Sequence, residues 1–195
     1  MKLILGAILL SIAVGYLVGG SLRNLSRVRI RWPALALVGL GLQLVPTGSG
    51  TTTGFMLLMV SFALLLVFGL ANVRSAGFPL IVLGLVLNAL VIGVNHGMPV
   101  QRHALIASGQ ANTLVALERD GGAKHHLATA RDRLLFLGDV TPVPQPIGQV
   151  ISAGDVATYL GVMWFVLAAM RPRSEPDDAT AGDAAAGDRG DHGAG

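Results

Sequence analysis

The sequence contains no cysteine. Disulfides, thiolate metal centres and cysteine nucleophiles are therefore excluded. Charge is also scarce. Only 13% of the 195 residues are Asp, Glu, Lys or Arg, against about 25% in a soluble domain. Hydrophobic residues make up 52% of the chain, and the mean hydropathy is +0.64. This balance excludes an ordinary cytosolic enzyme and implies a membrane protein. Catalytic signatures are missing as well. There is no phosphate-binding Gly-rich loop, no Gly-x-Ser-x-Gly elbow, no His-Glu-x-x-His and no dinucleotide fingerprint after a strand. No cofactor is expected, and no residue is assigned as catalytic.

The formal net charge of +3 is unevenly spread. Residues 174–195 hold six acids against Arg189 alone, a net −5, which leaves +8 on residues 1–173. The basic excess is Arg placed beside apolar runs. That pattern records membrane orientation rather than nucleic-acid binding, and no nucleic-acid partner is expected.

A helical crossing needs about 20 apolar residues to pass roughly 30 Å of hydrocarbon. Charge-free windows run over 3–22, 32–73, 75–101 and 156–170. The second is long enough for two crossings, with the polar cluster 46–53 as the turn between them. The sequence thus predicts an all-α integral membrane protein with five transmembrane helices at about 3–20, 32–46, 54–72, 77–95 and 153–170. No Ala-x-Ala site follows the first apolar run, so that run is read as a retained helix rather than a cleaved signal. A long outer segment, 96–152, precedes the fifth helix. The tail, 171–195, is rich in Asp, Gly, Ala and Pro and is expected to be disordered.

Arg23, Arg27, Arg29 and Arg31, then Arg74, then Arg171 and Arg173 all fall on one side of a five-span chain, while the loop at 47–53 carries no charge. This predicts an N-terminus outside and a C-terminus in the cytoplasm of a bacterial cytoplasmic membrane. The expected partners are the lipid bilayer and either another membrane protein or a second copy of the chain.

Polar residues within or beside the spans are the candidate functional or structural positions. Asn88 and Asn95 are seven apart, on one face of the fourth predicted helix, with Gly84 four before Asn88. Either they hydrogen-bond between helices, the favoured reading, or they line a substrate path. Asp155 falls in the first turn of the last helix, where the dipole favours a carboxylate and Ser152 can cap. The alternative draws Asp155 into hydrocarbon, where an acid is costly and often functional. Most of the histidines, His96, His103, His125 and His126, lie at or in the outer segment. On a helix, His125 and His126 would point about 100° apart and could not chelate as a pair, so no metal is expected. Arg102, His103, Lys124, His125, His126, Arg131 and Arg133 could instead form one surface for lipid phosphates. Asp132, Asp139, Glu118 and Asp120 are the acids available there as a base. Leu134–Leu137 followed by a Pro-punctuated run to Pro146 cannot be regular helix. It is read as a surface segment packed over the helices in preference to a re-entrant element.

Four motifs occur in a fixed order: Leu22-Arg23-Asn24-Leu25; Asn95-His96-Gly97-Met98-Pro99-Val100; Lys124-His125-His126-Leu127 leading to Phe136-Leu137-Gly138-Asp139-Val140; and Ser152-Ala153-Gly154-Asp155-Val156. Together they resemble the bacterial membrane-protein family known as domain of unknown function 5317, over about residues 1–170. That family pattern has Asn-Gly-Gly near the end of the fourth helix, and His96 departs from it. The resemblance implies the topology and no activity.

The expected function is a non-catalytic membrane or envelope-associated module. The alternatives are an enzyme acting on lipid phosphates at the outer face, or a small-solute transporter using Asn88, Asn95 and Asp155. Asn95, Asp139 and Asp155 are expected to converge near one membrane surface. Asp139 and Asp155 each follow a glycine at a turn or helix start, and each is expected to accept backbone N–H groups.

Overall fold

The computed structural model describes residues 2–47, 50–122 and 124–172. The expectation of a disordered tail falls almost wholly outside these residues. The chain is predominantly helical. Its long helices are α1 (Lys2–Leu17), α3 (Pro33–Gln43), α4 (Thr52–Ala71), α5 (Phe78–Asn95) and α8 (Ala153–Met170), with a single turn, α2 (Leu22–Leu25), after the first. Packing runs in the order α3, α4, α5, α8, α1. Three of these helices, α4, α5 and α8, are long and apolar enough to cross a membrane. At about 1.5 Å per residue, α1 and α3 are shorter than a full crossing. The start of α3 is built as the sequence suggests, with Pro33 in its first turn.

The bundle has two distinct ends. At one, the Ser21 N–H and the Asn24 amide donate to the Met170 carbonyl at 2.9 and 3.1 Å, closing the end of α8. Asn72, the cap of α4, grips the backbone of Arg31 there. At the other end the Leu3 N–H donates to Gln149 Oε1 at 2.8 Å, and Phe55 stacks on His96 at 4.9 Å between ring centroids. The three described Arg-bearing stretches therefore share one end, and the N-terminus of α1 sits at the other, against segment 96–152.

That segment is not all-α, contrary to the expectation from sequence. It holds α6 (Arg102–Ala107), α7 (Ala111–Asp120), a 3₁₀ turn at Leu135–Leu137 and four short strands. β1 (Met98–Val100) pairs in parallel with β2 (His125–Leu127), in the register Met98 to His125. β3 (Thr141–Val143) pairs antiparallel with β4 (Gln149–Ile151), in the register Thr141 to Ile151. Each strand has only three residues, too few for a period-two pattern to stand out. The segment forms a cap over the ends of α5 and α8. The main core joins Leu58 and Phe62 of α4, Val91 and Ile92 of α5, and Met98 of the cap, with Leu134 and Leu137 packed against it. The apolar run 134–137 is seated on the helix ends, with Phe136 alone turned outward.

α5 and α8 approach most closely where glycine meets glycine. A Cβ on Gly84 would collide with Thr158 Oγ1 and with the Gly154 carbonyl, and one on Gly154 would collide with Asn88 Oδ1. Small residues at such positions let helix backbones come together. Many other side chains on the helices face outward and are apolar, including Leu9, Leu37, Leu40, Val60, Leu83, Leu90 and Leu160. A surface of that kind is characteristic of contact with lipid or protein rather than water.

Candidate functional site at the cap

Asp155 lies where the sequence places it, in the first turn of α8. Ser152 Oγ accepts the Asp155 N–H at 3.0 Å, and Asp155 Oδ2 accepts the Ser152 N–H at 3.1 Å. This reciprocal pair is a capping box, satisfying two donors that a helix start leaves free. Asn88 of α5 completes the junction. Its amide donates to Asp155 Oδ1 at 3.0 Å, and its carbonyl oxygen accepts the Ser152 hydroxyl at 2.9 Å. The cap, α5 and α8 are thus tied at one point by four hydrogen bonds.

Asn95 forms a second tie. Its Oδ1 accepts the Arg133 N–H at 2.8 Å, while Nδ2 donates to the Arg133 and Val91 carbonyls, each at 2.9 Å. Asn72 does the same at the opposite end of the bundle. It takes the Arg31 N–H at 2.8 Å and donates to the Arg31 and Phe68 carbonyls at 2.9 and 2.8 Å. The residue after each gripped arginine, Trp32 or Leu134, has a positive φ of 54 or 55°. Bulky side chains rarely adopt that conformation, and it persists only where the surroundings fix it. Two amide clamps supply the fixing. His96 also has a positive φ, 57°, at the cap of α5. A glycine would take that conformation freely; here the ring of His96 stacks on Phe55.

His125 and His126 lie on strand β2, not on a helix, and so point to opposite faces. His126 Nε2 meets Asp132 Oδ1 at 3.0 Å. Burial works against ionisation of Asp132, but the Thr129 N–H and the His126 ring outweigh it and hold the carboxyl below its ordinary range. His125 faces the other way, with Nε2 at 3.6 Å from Asp139 Oδ2. Both line a cavity of about 220 Å³ between α6, α7 and the strands, together with Val100, Leu105, Leu117 and Val150. The His125 side chain is 51% exposed where it lines this cavity. Burial holds its pKa below the ordinary value, with Asp155 pulling the other way. Burial lowers Lys124 likewise.

Asp139 departs from expectation. Its backbone continues the small sheet, donating to the Pro99 carbonyl and accepting the Gln101 N–H, each at 3.0 Å. Its side chain, however, takes no backbone N–H among the described residues. The residue is 7% exposed, and burial followed by the Asp155 carboxylate pushes its pKa up to about 7. Asp139, His125 and Asp155 therefore share one electrostatic neighbourhood, while Asn95 is engaged with Arg133 instead. Of the basic residues, Arg102 pairs with Glu118 at 2.5 Å and His126 with Asp132. Among the described residues, no group of three or more His, Asp or Glu is arranged to hold a metal ion.

The raised pKa has a sign that can be tested. The folded state keeps the Asp139 proton between pH 3.8 and about 7, where the unfolded chain has released it. Stability from this site therefore falls as pH rises through that window. Asp139→Asn, which mimics the neutral acid, should melt above the wild type at about pH 8, and the gap should narrow as pH falls and close only below 3.8. His125, Asp155 and Tyr159 face the same region and are common to both chains, so the difference between the two melting curves reports Asp139.

Residues 24–167 match the family described as "Family of unknown function (DUF5317)". The chain belongs to this family. It is also similar to an uncharacterised protein of Thermotoga maritima, 31% identical over 173 residues, which cover 87% of this chain and 91% of the relative. No solved structure matches it. The family match spans both clamps, the capping box and the cavity.

Proposed function

We propose that this member of the family is a non-catalytic membrane module crossing the bilayer five times, with the N-terminus and the cap outside and the C-terminus in the cytoplasm. The observation that carries the reading is the use made of the polar residues at the outer helix ends. Asn88, Asn95 and Asp155 are the groups that a transporter or enzyme would need free. Each instead has its hydrogen bonds directed at the cap or its anchor. The outward apolar faces of α1, α3, α4, α5 and α8 support contact with lipid. The gathering of Arg23–Arg31, Arg74 and Arg171 at the end away from the cap supports the orientation. In this reading α1 and α3 cross as short helices, with the bilayer thinned beside them. The cap then serves as a binding unit at the outer face.

Asp155→Asn tests the non-catalytic claim. It removes the charge and keeps one acceptor oxygen. In a strain lacking the gene, this variant should restore whatever phenotype the wild type restores, in proportion to its folded amount. Loss of complementation by a fully folded variant would instead make the charge functional.

A further inference from the structure

The cavity under α7 has a composition that none of the structural ties explains. Its walls are Val100, Leu105, Leu117 and Val150, and its polar groups include Gln110, Thr113, His125 and Asp139. Apolar walls with a few converging polar groups are the usual make-up of a small-molecule site. Asp139 is more than nine-tenths buried, yet among the described residues its carboxylate receives no hydrogen bond and has one polar neighbour, the His125 ring at 3.6 Å. That ring is itself held toward its neutral form by burial. The nearby Asp155 carboxylate adds a second acidic group to this region. The complement to such a lining is a positive charge that brings N–H donors.

We infer that this cavity binds a compact organic ammonium compound, its charged nitrogen between Asp139 Oδ2 and His125 Nε2 and its apolar body against Val100, Leu105 and Leu117. The size agrees. A cavity of about 220 Å³ is somewhat larger than one of roughly 150 Å³ that holds benzene, leaving room for a ring or short chain plus the ammonium group. The site lies beside the start of α8, at the level of the proposed outer membrane surface. The same chemistry can therefore arrive as a free amine or as the ammonium headgroup of a lipid. The inference rests on reading the cap as a binding unit and does not depend on the number of crossings.

The test uses the full chain in detergent, with phenethylamine as the probe and 2-phenylethanol and phenylacetate as its neutral and anionic counterparts. Phenethylamine should raise the melting temperature and give saturable binding by calorimetry at about pH 8, while the alcohol and the acid should bind at least about tenfold more weakly. Asp139→Asn should stay folded and lose the preference for the amine. Thr113→Trp, which fills the cavity from α7 and leaves Asp139 in place, should block the probe by bulk. In lipid nanodiscs, a Thr113→Trp-sensitive stabilisation by phosphatidylethanolamine over phosphatidylglycerol would assign the ammonium to a lipid. Its absence alongside phenethylamine binding would assign it to a free amine. Equal binding of the alcohol, or an unchanged amine preference in Asp139→Asn, overturns the inference, as does failure of both phenethylamine and phosphatidylethanolamine to stabilise. Chemical conversion of the bound amine would instead end the non-catalytic reading while leaving the site in place.

Discussion

Gly84→Leu should leave little folded protein, whereas Gly41→Leu should be tolerated. The two substitutions add the same hydrophobic bulk to two apolar helices, so hydropathy and insertion are matched. They differ in what the new Cβ meets. At Gly84 it runs into Thr158 Oγ1, the Gly154 carbonyl and the Thr158 N–H, which are largely backbone of the neighbouring helix and have no rotamer to yield. At Gly41 it meets nothing within 4 Å. Overpacking a well-filled contact costs about 1–3 kcal/mol, and a clash against backbone that also parts Asn88 from Asp155 should lie above that range. The measurement is the monodisperse fraction after detergent extraction, at matched membrane expression. Equal yields from the two variants would mean that α5 and α8 do not approach at these glycines.

Asp155→Ala is the second large effect expected. The substitution removes the acceptor for the Ser152 N–H and for the Asn88 amide together. A buried donor left unpaired costs about 1–3 kcal/mol, and loss of a helix cap about 1 kcal/mol. The unpaired Asn88 amide and the lost cap bond at Ser152 together give roughly 2–4 kcal/mol. Asp155→Asn retains an acceptor and should melt between the wild type and the alanine variant. Thermal unfolding in detergent checks the order. If the two variants melt together, the oxygen matters less than the charge.

The parts of this fold that were legible in the sequence are those with a long period or a local signal. The apolar runs behind α4, α5 and α8 are nearly charge-free, so hydropathy alone places them. The Ser152–Asp155 spacing is a three-residue signal that the helix start turns into a capping box. The cap was less legible for a physical reason. Its strands have three residues each, and β1 pairs with β2 across 24 intervening residues, so no local pattern announces the pairing. His125 and His126 consequently read as neighbours on a helix, when the strand sends one to Asp139 and the other to Asp132. Asn72 was passed over because an Asn ending an apolar run looks like a simple boundary. Only the returning chain at Arg31 reveals it as a clamp. Asn24 was passed over likewise, since its partners at Met170 and Arg171 are 146 and 147 residues away. At Asp139 the local argument assigns the side chain to turn donors. The backbone of the same residue had already taken up the sheet bonds, leaving the carboxylate to face the cavity.

The central claim is that the cap and the Arg-rich loops lie on opposite sides of the membrane, with the cap outside. Because the chain has no cysteine, single introduced cysteines can be read without background. Ala111→Cys places a thiol on the exposed face of α7, and Ser26→Cys places one in the exposed Arg-rich loop. In intact spheroplasts a membrane-impermeant maleimide should label Ala111→Cys and spare Ser26→Cys, which should react only once the membrane is permeabilised. Labelling of Ser26→Cys in intact spheroplasts, or protection of Ala111→Cys until permeabilisation, would contradict the account.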